Sequence, residues 1–248
     1  MRETLYGRNP VYESLRAGRR QFYRLIIAET VRATDVVSDI LSLAESAGVT
    51  VEWVPRHNLN WLGDVNHQGV ALEASDYPYV KVHQILDVAR QRGEPPFLLL
   101  LDLLKDPQNL GSLLRTAEAV GLHGAIIQRR RAVGVTPAVV NTSSGAVEHI
   151  PVAQVTNLSN TIRDLKASDV WVAGLESARG AKRYDRADLS GPLAIVVGSE
   201  GSGLRRLVKE RCDFLIELPM QGRVTSLNAS VAGSIALYEA WRQRQSAG

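Results

Sequence analysis

From Phe97 onward the chain repeats one pattern, a short apolar run followed by a longer segment of helical spacing. That repetition limits the fold more than any other feature. Strand-like runs fall at 97–102, 124–128, 151–155, 170–174, 193–197 and 214–218. Helical patterns occupy 109–120, 136–142, 157–167 and 203–210, and a final helix is expected over 228–243. Strands that alternate with helices are joined by crossovers, so the expected class is α/β with a mostly parallel sheet covered on both faces. Sites in such sheets lie beyond the carboxyl ends of the strands.

The front of the chain reads differently. Residues 1–74 form a small α/β unit, with a helix over 9–17 that tolerates Pro10 in its first turn. A strand is expected at 24–28. Apolar residues at 36, 37, 40, 41 and 44 mark a helix over 34–47, which Gly48 ends. Strands follow at 49–54 and 69–74. Between them lie two polar loops, Arg56-His57-Asn58 and Asn66-His67-Gln68. Residues 75–96 read as a connector that runs from Tyr77-Pro78-Tyr79 to Arg92-Gly93-Glu94-Pro95-Pro96, with a short helix near 85–89. Residues 97–248 then make the larger domain.

Composition excludes several classes. The longest purely apolar run, Phe97 to Leu101, is far too short to span a bilayer, and no apolar signal core follows Met1-Arg2-Glu3-Thr4. A cytoplasmic protein with no membrane partner is expected. Cys212 is the only cysteine, which excludes an intrachain disulfide and suits a reducing compartment. The five histidines lack metal-ligand spacing, so no metal is expected. A net charge of +3 permits a polyanionic partner without demanding one. Its distribution says more. Arg2, Arg8, Arg16, Arg19, Arg20 and Arg24 crowd the start against Glu3 and Glu13, and Arg129, Arg130 and Arg131 form a second cluster. Arg8, Arg19, Arg20 and Arg24 are candidate contacts to a polyanion. The plain alternative for each is solvated surface charge.

Three segments carry candidate chemistry. The first runs from Asp102 through Asn109 and Arg115 to Glu118 and opens a helix after a strand. Leu110, Leu113, Leu114 and Ala117 share one helical face, and Arg115 points roughly 140° from Leu110, into solvent or a cleft. Asn109 could simply cap that helix. The second is LAIVVGSEGSGL, residues 193–204, where an apolar strand enters Gly198, Glu200, Gly201 and Gly203. Glycines permit positive φ and close approach of backbone to a ligand. The spacing is not that of a dinucleotide fingerprint. The third spans Glu217 to Glu239. Leu218 and Met220 lead into a loop, Ser226, Leu227 and Asn228 precede a helix, and that helix is rich in alanine, serine and glycine. A helix so small-sided admits close packing of another backbone element or of a ligand.

Taken together in this order, the three segments resemble the signature motifs of the SpoU (TrmH-like) family of RNA ribose 2′-O-methyltransferases, over about residues 97–240. The arrangement is most similar to the subgroup that methylates a guanosine of large-subunit ribosomal RNA. Residues 1–74 resemble the small RNA-binding domain that many members carry. The resemblance implies a knotted, SPOUT-type catalytic domain, a homodimer, and S-adenosylmethionine as methyl donor with no metal. It implies Asn109, Arg115, Glu200, Ser226 and Asn228 as catalytic residues. It assigns Gly198, Leu218, Met220 and Leu227 to the donor pocket, and makes RNA the polyanion for Arg8, Arg19, Arg20 and Arg24. The chain departs from the pattern at Asn141–Gly145, where the family carries a basic residue. A transfer RNA methyltransferase of the same family and a non-catalytic RNA-binding protein are the alternatives, with an antibiotic-resistance ribosomal RNA methylase behind them. A nicotinamide enzyme lacks its fingerprint here.

Overall fold

The structure, a computed structural model, describes residues 2–32 and 34–246. In chain order its front elements are β1 (Arg2–Tyr6), α1 (Arg8–Ala17), β2 (Phe22–Ala28), α2 (Asp35–Ser46), β3 (Thr50–Val54), β4 (Val70–Ser75) and α3 (Val82–Arg92). There follow β5 (Phe97–Asp102), α4 (Pro107–Ala119), β6 (Gly124–Gln128), α5 (Pro137–Thr142), β7 (Val152–Val155) and α6 (Leu158–Lys166). The chain finishes with β8 (Trp171–Leu175), β9 (Lys182–Arg183), β10 (Leu193–Gly198), α7 (Arg206–Arg211), β11 (Phe214–Glu217) and α8 (Ala229–Ser246).

These elements form two compact units. The first holds residues up to Pro78 together with Val135–His149, and the second holds Tyr79–Gly134 with Ile150 onward. The first unit is a four-stranded sheet in the order β1-β4-β2-β3. Strand β4 runs antiparallel to β1 and β2, while β3 runs parallel to β2 through the α2 crossover. Leu5, Leu25, Ile27, Ile40 and Leu72 are fully buried in it.

The division of the chain differs from the sequence expectation at two places. Residues 135–149, expected in the larger domain, belong to the first unit. Their binding groups explain it: the Asn141 side-chain amide donates to the Tyr6 carbonyl at 3.1 Å, and Glu148 pairs with Arg20. Gly145, at φ +86°, lies so close to α1 that a Cβ there would stand 2.5 Å from that of Glu13. The supposed connector also carries a three-turn helix, α3, whose Ile85 enters the core of the second unit.

The second unit is a seven-stranded sheet in the order β7-β6-β5-β10-β8-β11-β9, and every pairing in it is parallel. All six residues of β5 and of β10 are buried, as expected of central parallel strands covered on both faces. Strand β10 lies between β5 and β8, so the carboxyl ends of these three strands stand side by side. The site is built there.

Candidate active site

Glu200 is the node of the site. It follows β10, and one of its oxygens, Oε1, accepts hydrogen bonds from two side-chain amides. One amide is that of Asn109 at the start of α4. The other is that of Asn228, just ahead of α8, at 3.0 Å. Both helices present their amino ends to this carboxylate, where the partial positive charge of unpaired N–H groups favours an anion.

Each amide is itself fixed. Asp106 caps α4, accepting from the backbone N–H groups of Gln108 at 3.1 Å and Asn109 at 3.3 Å. It also accepts the Asn109 side chain at 2.7 Å. The capping role considered for Asn109 thus falls to Asp106, and the Asn109 amide donates to both Asp106 and Glu200. Asn228 does both jobs. Its Oδ1 caps α8 through the N–H groups of Ser230 at 2.9 Å and Val231 at 3.3 Å, while its Nδ2 turns to Glu200.

The glycine turn between β10 and α7 is closed on itself. The Gly203 N–H donates to the Ser199 carbonyl at 2.9 Å, and a Cβ on Gly198 would sit 2.3 Å from the Gly203 carbonyl carbon. Gly203 has φ +62°, and a Cβ there would strike the Glu176 carboxylate. Two carboxylates that sequence reasoning did not single out staple this turn from either side. Asp102, fully buried at the end of β5, accepts the Arg205 backbone N–H and its Nε, both at 2.8 Å. Glu176, just past β8, accepts the Leu204 N–H at 3.1 Å and Lys209 Nζ at 3.3 Å. A charged residue that ends an otherwise apolar strand, as Asp102 ends FLLLLD, was the available signal.

Beside the turn opens a cleft of about 320 Å³, a size suited to a small organic ligand. Leu175, Val197, Leu218, Met220 and Leu227 give it apolar walls, and Ala229 and Ala232 keep one side shallow. Further along α8 the small residues serve packing instead. Gly233 faces α4 so closely that a Cβ would stand 2.5 Å from Leu113 Cδ2, and the Thr116 and Ser234 hydroxyls meet at 2.8 Å. Glu176, Glu200 and Glu217 line the cleft, and no basic residue does. Apolar walls, exposed turn backbone and a surplus of carboxylates fit a ligand that joins an aromatic base to a cationic centre. Cys212 supplies no nucleophile to the unit, because burial pushes its thiol up to about 12. Among the described residues, no group of three His, Cys, Asp or Glu side chains could hold a metal ion. Nor is any described helix long and apolar enough to cross a membrane.

Residues 96–238 match the model of the SpoU rRNA Methylase family, and residues 4–80 match that for RNA 2′-O ribose methyltransferase substrate binding. The chain belongs to the SpoU rRNA methylase family. YacO of Bacillus subtilis, provisionally named a TrmH family tRNA/rRNA methyltransferase, is 46% identical over 98% of this chain and 96% of its own. The AdoMet-bound rRNA methyltransferase of Sinorhizobium meliloti superposes with a TM-score of 0.79 at 27% identity, covering 97% of this chain and 87% of that one. The SpoU methyltransferase AviRb of Streptomyces viridochromogenes, crystallised with AdoMet, shares the fold at a TM-score of 0.82 and 23% identity. That match covers 99% of this chain and 91% of AviRb. This SpoU protein is an RNA methyltransferase, and S-adenosylmethionine is its methyl donor.

The expected SpoU site residues divide into groups. Gly198, Leu218, Met220 and Leu227 all line the cleft, as do Glu200 and Ser226. Asn109 and Asn228 stand behind Glu200, joined to it by hydrogen bonds. Arg115 is exposed on α4, about 9 Å further along the helix axis than Asn109 and about 120° around it.

The front arginines mostly turn inward. The Arg20 side chain is fully buried and grips both oxygens of Glu148, at 2.7 and 3.1 Å, as well as Glu3 at 2.7 Å. A guanidinium so enclosed holds the first unit together and cannot meet a phosphate, so Arg20 leaves the set of RNA contacts. Arg19 donates to the Glu148 carbonyl and the Tyr77 hydroxyl. Arg24, half exposed, bridges Glu52 at 2.7 Å and Glu73 at 2.6 Å, and those carboxylates raise its pKa. Arg8 is half-buried, and its backbone N–H donates to the Gln68 side chain at 2.9 Å.

Proposed function

We propose that this enzyme methylates a ribose 2′-hydroxyl of large-subunit ribosomal RNA, at a guanosine, and that it works as a homodimer. The observation that carries the reading is the cleft with Glu200 on its wall and two asparagine amides fixed behind it. The match of residues 4–80 to a 2′-O ribose methyltransferase substrate-binding model supports the ribose hydroxyl as acceptor. The likeness to a ribosomal RNA enzyme over 97% of the chain, front unit included, supports the ribosomal target.

When bound, the donor supplies a sulfonium methyl that is already activated. The protein must align the acceptor oxygen behind that carbon and allow its proton to leave. Alignment alone supplies a large share of the barrier reduction. The donor would give its methyl to that oxygen and leave as a neutral thioether, while the hydroxyl proton would pass to solvent water. Leu218, Met220 and Leu227 hold the donor by apolar contact, and Gly198 lets the turn backbone approach it. Arg115, as a cation that keeps its proton, stabilises the developing alkoxide or grips the adjacent phosphate. Glu200, Asn109, Asn228 and Ser226 position the RNA backbone at the mouth of the cleft.

The homodimer reading rests on α8. One side of that helix, Gly233, Ala236, Leu237 and Ala240, is buried within the unit. Val231, Ile235, Tyr238 and Trp241 are exposed on it, between 37% and 49%. A second copy of the same helix face is the natural cover, because a two-fold contact pairs a surface with itself. The knotted threading implied by the resemblance would run through the segment from 199 to 228, which leaves β10, forms β11 beside β8, and returns to α8 against α4.

The test is to map ribose 2′-O-methyl positions in ribosomal and transfer RNA from a deletion strain. Loss of one guanosine methyl in large-subunit RNA is expected. Loss from a transfer RNA would replace the ribosomal reading with the transfer RNA one. Sedimentation of the purified protein as a monomer would remove the dimer.

A further inference from the structure

The first unit must present some surface to RNA, yet its most conspicuous arginines are spent on internal pairs. A different surface is built at one end of its sheet. Strands β2 and β3 end there, at Ala28 and Val54, and β4 begins there, at Val70. The Ala28 N–H donates to the Gly69 carbonyl and the Glu29 N–H to the Val54 carbonyl, tying the loops together. Arg8 joins them through Gln68. Both polar loops noted in the sequence lie at this end.

The loop after β3 is a 3-10 helix over Arg56–Leu62. In such a helix residues three apart eclipse. Leu59, fully buried, and Leu62 share one side and pack on Ile26, Ala28, Val54 and Ala71. That anchor turns the row of Asn58 and Trp61 outward, and Trp61 is 58% exposed. An indole left so bare beside a packed anchor is not core. His57, Asn58, Asn60 and Asn66 surround it in sequence and are all exposed. The second loop is fixed as well. His67 Nδ1 accepts the Gly69 N–H at 3.0 Å, which leaves Nε2 as the protonated nitrogen of the neutral ring. Gln68 is held at φ +52°, a conformation a non-glycine residue keeps only where its surroundings impose it.

We infer that this end of the sheet, led by Trp61, reads RNA, and that it takes unpaired nucleotides rather than duplex. A base stacks on the Trp61 indole, and the asparagine amides and histidines bond its edge. The charge balance agrees. Arg8, Arg32 and Arg56 at this end are matched by Glu29, Asp35 and Asp64, so the surface offers little net attraction to a stack of phosphates. Sequence-specific readers of RNA use this combination on loops and bulges, whose bases are free to stack on aromatic side chains. The inference rests on RNA as the substrate and is independent of which RNA is methylated.

The test uses the full chain and two probes, an RNA hairpin with an unpaired purine loop and a blunt duplex of the same stem. Trp61→Ala should weaken hairpin binding by roughly five- to 150-fold, the range that stacking of one base spans. Duplex binding and S-adenosylmethionine binding should stay as in the wild type, and Trp61→Phe should recover most of the loss. Wild-type hairpin affinity in Trp61→Ala, or an equal loss on both probes, overturns the inference. A methyl group mapped to transfer RNA would sink the ribosomal reading and leave the Trp61 result standing.

Discussion

Around Glu200 one carboxylate gathers two neutral amides at the rim of a cleft. Around Arg20 one guanidinium gathers two carboxylates in the interior. Both clusters join segments distant in the chain: Asn109 and Glu200 are 91 residues apart, and Arg20 and Glu148 are 128 apart. The difference lies in what surrounds them. The Glu200 node borders a cavity and remains available to a substrate. In the Arg20 cluster the guanidinium and Glu148 are fully enclosed, so their charge is spent on holding residues 135–149 to the front of the chain. Polar convergence thus marks a site in one unit and a staple in the other, and burial tells them apart.

The sharpest way to break that contrast is Arg20→Ala. It leaves Glu148 buried without its bidentate partner, and stripping one member from a buried pair costs about 3–5 kcal/mol. Denaturant melts should show the first unit destabilised by that order. Replacing Arg20 and Glu148 together with apolar residues should recover much of the loss, since a matched apolar pair removes both desolvation costs. An Arg20→Ala protein of normal stability with weakened RNA binding would reverse the assignment and return Arg20 to the RNA surface.

Arg115→Ala addresses the other side. If Arg115 stabilises charge that develops during transfer, its loss should lower turnover by about 10²–10³-fold, the effect of removing one such donor. Donor binding, measured by calorimetry, should be unchanged, because Arg115 does not line the cleft. Near-normal turnover would strike Arg115 from the mechanism while leaving the cleft intact.

How much of this was legible in the sequence depended on burial. Strands 97–102 and 124–128 have the expected bounds because every residue in β5 and β6 is buried and apolar character is continuous. Strand β1, RETLY, was missed, since only Leu5 of its five residues is buried and it shows no alternation. Helix α3 was expected only near 85–89, inside a connector, because its flanks are rich in proline and glycine; it spans Val82–Arg92, and Ile85 and Ala89 are core. Helix α7 begins at Arg206 rather than 203, because Gly203 turns to positive φ to close the glycine loop. Of the motif residues, Gly198, Glu200, Leu218, Met220, Ser226 and Leu227 meet at one cleft, a convergence that separate segments of sequence do not display. The staples Asp102 and Glu176 were not legible, because their partners, Arg205, Lys209 and two N–H groups of the glycine turn, lie far along the chain and meet them only in the fold. The arginines misled for the opposite reason. Charge is visible in a sequence, but its pairing is not.

Tyr77 offers a test within the enclosed region. Burial pushes its hydroxyl up to about 12, and that hydroxyl donates to the Val147 carbonyl at 3.1 Å. The unfolded chain ionises this group near pH 10, while the folded chain keeps the proton longer. Between those values the folded state binds more protons, so stability falls as pH rises from about 10 toward 12. Tyr77→Phe should flatten that part of the stability curve. An unaltered slope would mean that Tyr77 is more open to solvent than the Arg20 cluster around it.

The smallest effect is expected at Arg24, and its smallness is the point. Arg24 bridges Glu52 and Glu73 on the strands to either side of it, with its side chain 42% exposed. Half-exposed pairs of this kind contribute about 0.2–1 kcal/mol, because water and salt screen them. Arg24→Ala should therefore cost little stability, and it leaves two carboxylates that repel both each other and RNA. Hairpin affinity should change less than about twofold, and its salt dependence should keep the same slope, because an arginine already neutralised by two carboxylates releases few counterions. A slope shallower by about one unit would show instead that Arg24 leaves its carboxylates to contact phosphate. In that case the division between an inward-facing arginine cluster and an outward-facing Trp61 surface would have to be redrawn at this residue first.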